Sequence, residues 1–342
     1  MRRILFYFLL FCGKSLFAQT LGGNTVYGFL LQPNTAGQAA LGGLNISQIS
    51  NDVGMCFQNP ALLRSTMHCQ ANTSFNDFLA GVNTYSMTSA WYLPAVHINL
   101  AAGTQFFDYG MIQQTDASGN ILGSFHPVDY VAQLMAAGTY HDYFHYGLTS
   151  KFIHSGYGIY RSDALAFDAG LSYYDSSRGL QAALVIRNMG AQIRTYSGTG
   201  SREELPFDLE IGLSKRLKAS PFQFSLTLHH LQSFRIHYND TSFRYAEGDL
   251  AYNSSDFFQN LLSHCILGVQ VYPHEKLELM AGMNFQRRID LNAYQLSNGL
   301  NGFSFGAGLL LKKVHIRYAT GFYQQQLFHQ FSLNFYWKGG FP

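Results

Sequence analysis

Phe222-Gln223-Phe224-Ser225-Leu226-Thr227-Leu228-His229 puts apolar side chains at even positions and polar ones at odd positions. A period of two marks a strand whose two faces meet different surroundings. Leu277-Glu278-Leu279-Met280-Ala281-Gly282-Met283-Asn284-Phe285 repeats the pattern in the other register. Phe207 to Ile211, Val314 to Tyr318 and the closing Phe331 to Trp337 continue it. About fourteen such segments follow one another, an even number as bacterial barrels require. They fall near 67–75, 82–92, 96–107, 128–139, 143–155, 162–174, 179–189, 206–217, 222–231, 261–272, 275–286, 301–311, 313–321 and 327–337.

The connections sort into two classes. Leu93-Pro94-Ala95, Tyr140-His141-Asp142, Asp175 to Arg178, Lys218 to Pro221, Pro273-His274 and Lys312 make short turns. The stretches 108–127, 190–205, 232–260 and 287–300 between them are long, polar and rich in Gly, Asn and Ser. Short periplasmic turns opposite long outer loops are the asymmetry of an outer-membrane barrel. The fold class read from the chain is therefore all-β, a transmembrane antiparallel barrel.

Composition agrees. The 342 residues are 47% hydrophobic and 15% aromatic but only 12% charged, whereas a soluble chain is about one quarter charged. Mean hydropathy is -0.03, and no apolar run approaches the roughly 20 residues of a transmembrane helix. In lipid, a chain this polar can satisfy its backbone only as a closed sheet. A net charge of +2 without a basic patch gives no reason to expect nucleic acid.

Met1-Arg2-Arg3, the apolar Ile4 to Cys12 and Ser15-Leu16-Phe17-Ala18 read as a cleaved signal peptide over 1–18. The outer membrane is the expected destination. The bulky Phe11 before Cys12 argues against a lipoprotein. Residues 19–66 do not alternate and are rich in Gly, Ala, Asn and Gln. They form either a periplasmic extension or a plug (hatch) folded into the barrel that occupies 67–342. Cys56, Cys69 and Cys265 are an odd set and a poor disulfide framework. They read as unpaired small apolar residues, with a Cys56–Cys69 bridge as the alternative.

With the apolar positions facing lipid, the inward set includes Lys151, Asp168, Arg187, Asp208, Glu210, Glu278 and Arg317. Mixed charges in a lumen either pair against a plug or line a watery path. His141/His145 and His229-His230 invite a metal reading. Neighbours on a strand point to opposite faces, and His141/His145 lack zinc-site spacing, so no metal is expected. The chain has no G-x-S-x-G, H-E-x-x-H, P-loop or Ser-x-x-Lys motif, so neither an enzyme nor a cofactor is expected.

Two resemblances add to this. Thr35-Ala36-Gly37-Gln38-Ala39-Ala40-Leu41-Gly42-Gly43, then Asn51-Asp52 and the hatch motif Asn59-Pro60-Ala61, resemble the opening of FadL-like barrels. In those barrels a small-residue segment and an Asn-Pro-Ala motif precede the first strand. Arg187-Asn188-Met189-Gly190, Arg202-Glu203-Glu204-Leu205-Pro206-Phe207 and Gly212 to Lys218 through Pro221-Phe222 are similar to PorQ-like barrels. Those are outer-membrane components of the type IX secretion system of Bacteroidetes, and this resemblance runs over essentially the whole mature chain. It implies a fourteen-stranded barrel without activity of its own. Its role would be a scaffold anchoring a PorZ-like surface protein in the attachment complex, alongside a PorU-like sortase and a PorV-like barrel. The candidate contact loop is 232–260, with Phe234, Arg235, Tyr238, Phe243, Arg244 and Tyr245, since aromatics and Arg anchor interfaces. The alternative for that loop is an aromatic segment resting at the lipid headgroups. The alternative function is a FadL-like channel for hydrophobic solutes.

Overall fold

The computed structural model describes residues 25–198, 202–234, 236, 254–291, 299–324 and 326–337. The signal peptide 1–18 and the contact-loop residues Arg235, Tyr238, Phe243, Arg244 and Tyr245 lie outside the described residues. The wall comprises β1 (Gln70–Asp77), β2 (Asn83–Leu93), β3 (Ile98–Asp108), β6 (Val128–Tyr140), β7 (Phe144–Tyr157), β8 (Tyr160–Asp175) and β9 (Leu180–Arg194). It continues through β10 (Asp208–Arg216), β11 (Phe222–Leu228), β12 (Cys265–His274), β13 (Leu277–Asn284), β14 (Phe303–Leu310), β15 (Val314–Tyr323) and β16 (Gln326–Tyr336). Each strand pairs with its neighbour, and β1 pairs with β16 from Gln70↔Tyr336 to Asp77↔His329, closing a fourteen-stranded antiparallel barrel. Closure leaves no edge strand with unpaired backbone in the bilayer.

Alternation decides what each face meets. In β11, Gln223, Ser225 and Thr227 are buried inside while Phe222 and Phe224 are exposed on the outer wall. In β7 every second residue is buried from His145 to Ser155, and Phe144, Tyr146, Leu148 and Phe152 face outward. Aromatic side chains gather on the outer wall toward the short turns, where Trp91 lies 6.0 Å from Trp337 and Tyr143 stacks on Tyr173 at 6.0 Å. Amphipathic rings favour that interfacial depth.

Several boundaries differ from the sequence reading. The long connection 108–127 carries its own hairpin, β4 (Ile112–Thr115) with β5 (Ile121–Phe125), folded around Asp116. The Asp116 carboxylate accepts from the N–H groups of Ser118 and Asn120 at 2.9 and 2.8 Å. Segment 261–272 starts as a strand only at Cys265, because a helix, α2 (Ser254–Ser263), precedes it. Segment 275–286 stops at Asn284, whose side chain caps the short helix Phe285–Asp290 by accepting from Arg287 N–H at 2.9 Å. Segment 222–231 ends at Leu228.

Residues 25–69 run through the barrel interior from the long-loop end, where Thr25 bridges to Glu204, to the short-turn end, where Tyr336 Oη donates to Thr66 O at 2.6 Å. This segment is built of single turns. The helix α1 (Ala36–Ala40) is capped by Thr35, whose hydroxyl accepts from Gln38 N–H at 3.3 Å. Its small side chains let the backbone lie on the inner wall, and wall glycines receive it. A Cβ on Gly306 would stand 2.5 Å from Ala40 Cβ, and one on Gly147 would stand 2.6 Å from the Pro60 carbonyl carbon. A Cβ on Gly282 would collide with the Gly42 nitrogen and Leu41 carbonyl carbon.

Gly282→Val should therefore dislodge the inner segment and cost about 1–3 kcal/mol by overpacking. Ala281→Val on the lipid face should cost little. Thermal unfolding in detergent, with limited proteolysis of 28–66 as the readout of displacement, separates the two outcomes. Equal behaviour of the two variants would refute the seating.

Candidate functional site

The inner segment meets the wall at three levels. At the long-loop end lies an aromatic cluster. Tyr27, Phe29, Leu30 and Phe57 of the inner segment pack with Phe107, Val131, Ile153 and Leu205, and Tyr109 lies against them. Ring centroids of Phe29 and Phe107 are 5.2 Å apart, and those of Tyr109 and Tyr157 are 6.0 Å apart. The phenols are tied to polar wall residues. Tyr27 Oη lies 2.5 Å from Ser162 Oγ, and Tyr109 and Tyr157 donate to Asp129 Oδ2 at 2.6 and 3.0 Å.

In the middle sits the hatch motif. Asn59 accepts from Ala61 N–H at 2.9 Å and donates from Nδ2 to Ile46 O at 2.7 Å, fixing a turn over Pro60–Leu62. Ser47 and Ser214 hydroxyls are 2.9 Å apart, and Asn45 Nδ2 donates to Ser225 Oγ at 3.0 Å, so this part is hydrogen-bonded to β10 and β11.

Toward the short turns the anchor is ionic. Arg317 Nη1 donates to Asp52 Oδ2 and Arg317 Nε to Glu278 Oε2, both at 2.8 Å. Asp52 also accepts from Gly54 N–H at 2.8 Å, and Glu278 from Gln270 Nε2 at 2.7 Å. Asp52 comes from the inner segment, so this triad joins it to β13 and β15. It escaped the sequence reading because Asp52 is not on a strand and carries no periodicity.

All seven inward charges are buried. Lys151 Nζ lies 2.6 Å from Asp168 Oδ2 and donates to Asn188 Oδ1 at 2.9 Å. Arg187 bonds Glu210 at 3.0 Å and the Leu30 carbonyl at 2.9 Å. These two groups meet at a bulge between β8 and β9, where Asn188 takes φ +56° and its N–H donates to Asp168 Oδ1 at 2.8 Å. Asn188 Nδ2 reaches the Pro206 carbonyl at 2.8 Å, which brings Arg187-Asn188 and Leu205-Pro206-Phe207 together. Asp208 sits opposite Arg187 in the β9–β10 pairing and beside Glu210, and faces His230 at 2.9 Å.

The histidine pair departs from the alternation argument. β11 stops at Leu228 and His230 has φ +56°, so His229 and His230 both turn toward Asp208. His145 Nδ1 lies 3.1 Å from Thr139 Oγ1, away from that pair. Phe234 is exposed beside Phe257 of α2 at 5.5 Å between centroids. Cys56, Cys69 and Cys265 are free thiols, so the Cys56–Cys69 bridge is not formed. Cys56 is fully buried in the inner segment.

No protein-family model matches the chain, and no curated protein matches it. Among solved structures it is similar to the TodX monoaromatic hydrocarbon channel, deltaS2 mutant, at TM-score 0.50 and 12% identity, over 89% of this chain and 97% of that one. It is also similar to a Pseudomonas aeruginosa FadL homologue at TM-score 0.47 and 11% identity, over 89% and 98%. The fold is an outer-membrane β-barrel. At this identity the likeness concerns architecture.

Two outcomes follow from this geometry. Arg317→Met strands Asp52 and Glu278 as unpaired buried charges and should cost about 3–5 kcal/mol. Adding Asp52→Asn and Glu278→Gln should return most of it, and thermal unfolding of the folded barrel reads both. A single variant as stable as the parent would show that the triad is not an anchor. Maleimide should modify partly exposed Cys265 and spare Cys56 until the barrel is unfolded, since thiolate character and access set reactivity. Labelling of Cys56 in the folded barrel would contradict its burial.

Proposed function

We propose that this chain is an outer-membrane channel for apolar solutes whose inner segment acts as the hatch. The observation that carries the reading is the aromatic cluster at the long-loop end. The hatch supplies Tyr27, Phe29 and Leu30, and the wall supplies Phe107, Val131 and Ile153. An apolar solute arriving from outside would exchange contact with these rings, since ligand sites are chiefly apolar with a few fixed polar groups. Likeness to a hydrocarbon channel over 89% of the chain supports the same reading. Below the cluster the interior is filled by hatch and ion pairs, so passage requires the hatch to shift.

The seryl pair offers a lock. In Ser47→Cys/Ser214→Cys the two sulfurs would replace hydroxyls 2.9 Å apart, close enough to bond with small adjustment. Uptake of a monoaromatic hydrocarbon or a long-chain fatty acid should fall in cells lacking the chain. Oxidised double-cysteine cells should lose uptake too and recover it with reductant. Unchanged uptake in the deletion strain overturns the channel reading, and unchanged uptake in locked cells overturns the moving hatch.

A second reading is favoured by one observation, the joining of Asn188 to Pro206, which braces the base of an outer connection on the buried Lys151–Asp168 pair. A stiffened outer rim suits a scaffold that holds a surface protein, here a PorZ-like partner of a type IX attachment complex with PorU-like and PorV-like components. Under it, deletion releases that partner and the secreted cargo from the cell surface while solute uptake is untouched. Retention of both on the surface removes this reading.

A further inference from the structure

We propose that Asp208, His229 and His230 form a binding site for a divalent transition metal, zinc foremost, at the long-loop rim of the barrel. Asp208 opens β10, and the two histidines directly follow β11. In a continuing strand their rings would face opposite sides. The strand ends at Leu228 and the left-handed φ of +56° at His230 turns its ring back, so the ring centroids lie 4.8 Å apart. One ligand atom from each residue can be chosen such that all lie within 4.8 Å of one another.

Two further observations point to a cation. His229 is 4% exposed, and its Nε2 is buried without a hydrogen-bond partner. An orphaned buried polar atom is costly, by about 1–3 kcal/mol. His230 Nδ1 lies 2.9 Å from Asp208 Oδ2, which places an imidazole nitrogen and a carboxylate oxygen side by side as a metal's ligands would be. A cation among these atoms would satisfy them together.

The frame around them is set. His230 N–H donates to Asp208 Oδ1 at 2.5 Å. His229 N–H donates to the His264 carbonyl at 3.0 Å, and the His229 carbonyl accepts from His264 Nδ1 at 2.7 Å. His264 Nε2 faces the Phe234 carbonyl at 3.2 Å, so the third imidazole serves the backbone and is not a ligand.

Two imidazoles and one carboxylate suit Zn²⁺ and its transition-metal neighbours, whereas Ca²⁺ and Mg²⁺ prefer oxygen-only shells. Zinc would take water at its fourth position. Zinc–ligand bonds of about 2.0–2.1 Å would draw the cluster together, with the half-buried His230 ring moving most. The metal would clip the outer ends of β10 and β11 to the start of the connection that leaves at His229. It would thereby fix the base of an outer loop, independently of whether the barrel conducts.

The test uses the whole barrel in detergent, stripped with chelator and titrated with ZnCl₂ in a calorimeter. One saturable site per chain is expected, with Co²⁺ giving the visible spectrum of a low-symmetry imidazole site. His229→Gln and His230→Gln should each weaken zinc binding at least about tenfold, because even residues that only orient ligands carry that much. His141→Ala/His145→Ala should leave it unchanged. Heat-dependent mobility on gels reports whether each variant is folded. Should a glutamine variant fail to fold, zinc-protected ring nitrogens in the parent, read by histidine footprinting with and without ZnCl₂, decide the matter. No saturable binding in the parent overturns the site. So does binding undiminished in a folded variant, or protection at histidines other than 229 and 230.

Discussion

Everything in this molecule follows from closure of the β1–β16 seam. In hydrocarbon no water pairs with a free N–H or C=O, so a sheet can span only when its first and last strands satisfy each other. Gln70↔Tyr336 through Asp77↔His329 provide that pairing. Closure then creates a second problem, an inner face too polar to collapse on itself. Gln105, Gln133, Gln181, Asn334 and the inward charges are all buried there, and buried polar groups without partners are expensive.

The inner segment answers that problem by polar and steric complementarity together. Its helix offers alanines where the wall offers glycines, so backbones approach closely. Its polar residues are spent on wall partners, Asn45 on Ser225, Ser47 on Ser214 and Asp52 on Arg317. Glu278 would hold Arg317 without Asp52, but Arg187 would lose the Leu30 carbonyl as well. Each contact is modest, and their distribution along residues 25–69 is what fastens the segment.

The strands were legible because a lipid face and a polar interior impose a strict period of two, visible in Phe222 to Leu228 without any partner. Strand ends were less so. Leu228 gives way to a left-handed His230, and Asn284 turns from strand to cap, through local backbone choices that alternation does not encode. The path of residues 25–69 was not readable either, since its contacts join positions as distant as Asp52 and Arg317. The same limit hid the His229–His230–Asp208 convergence, because both histidines lie beyond the end of β11, where alternation no longer holds.

Hatch movement and hydration must be coupled in such an interior. Were residues 25–69 to shift, Asp52 would leave Arg317, the Ser214 and Ser225 hydroxyls would lose their partners, and the Arg187 guanidinium would face the lumen on one side. None of these groups can be left dry at a cost below a few kcal/mol each, so water has to replace the hatch as it moves. Under the channel reading, an apolar solute would therefore meet a wetting path below the aromatic cluster rather than a greasy one. The interior is thus built to resist opening, and that resistance is electrostatic in origin.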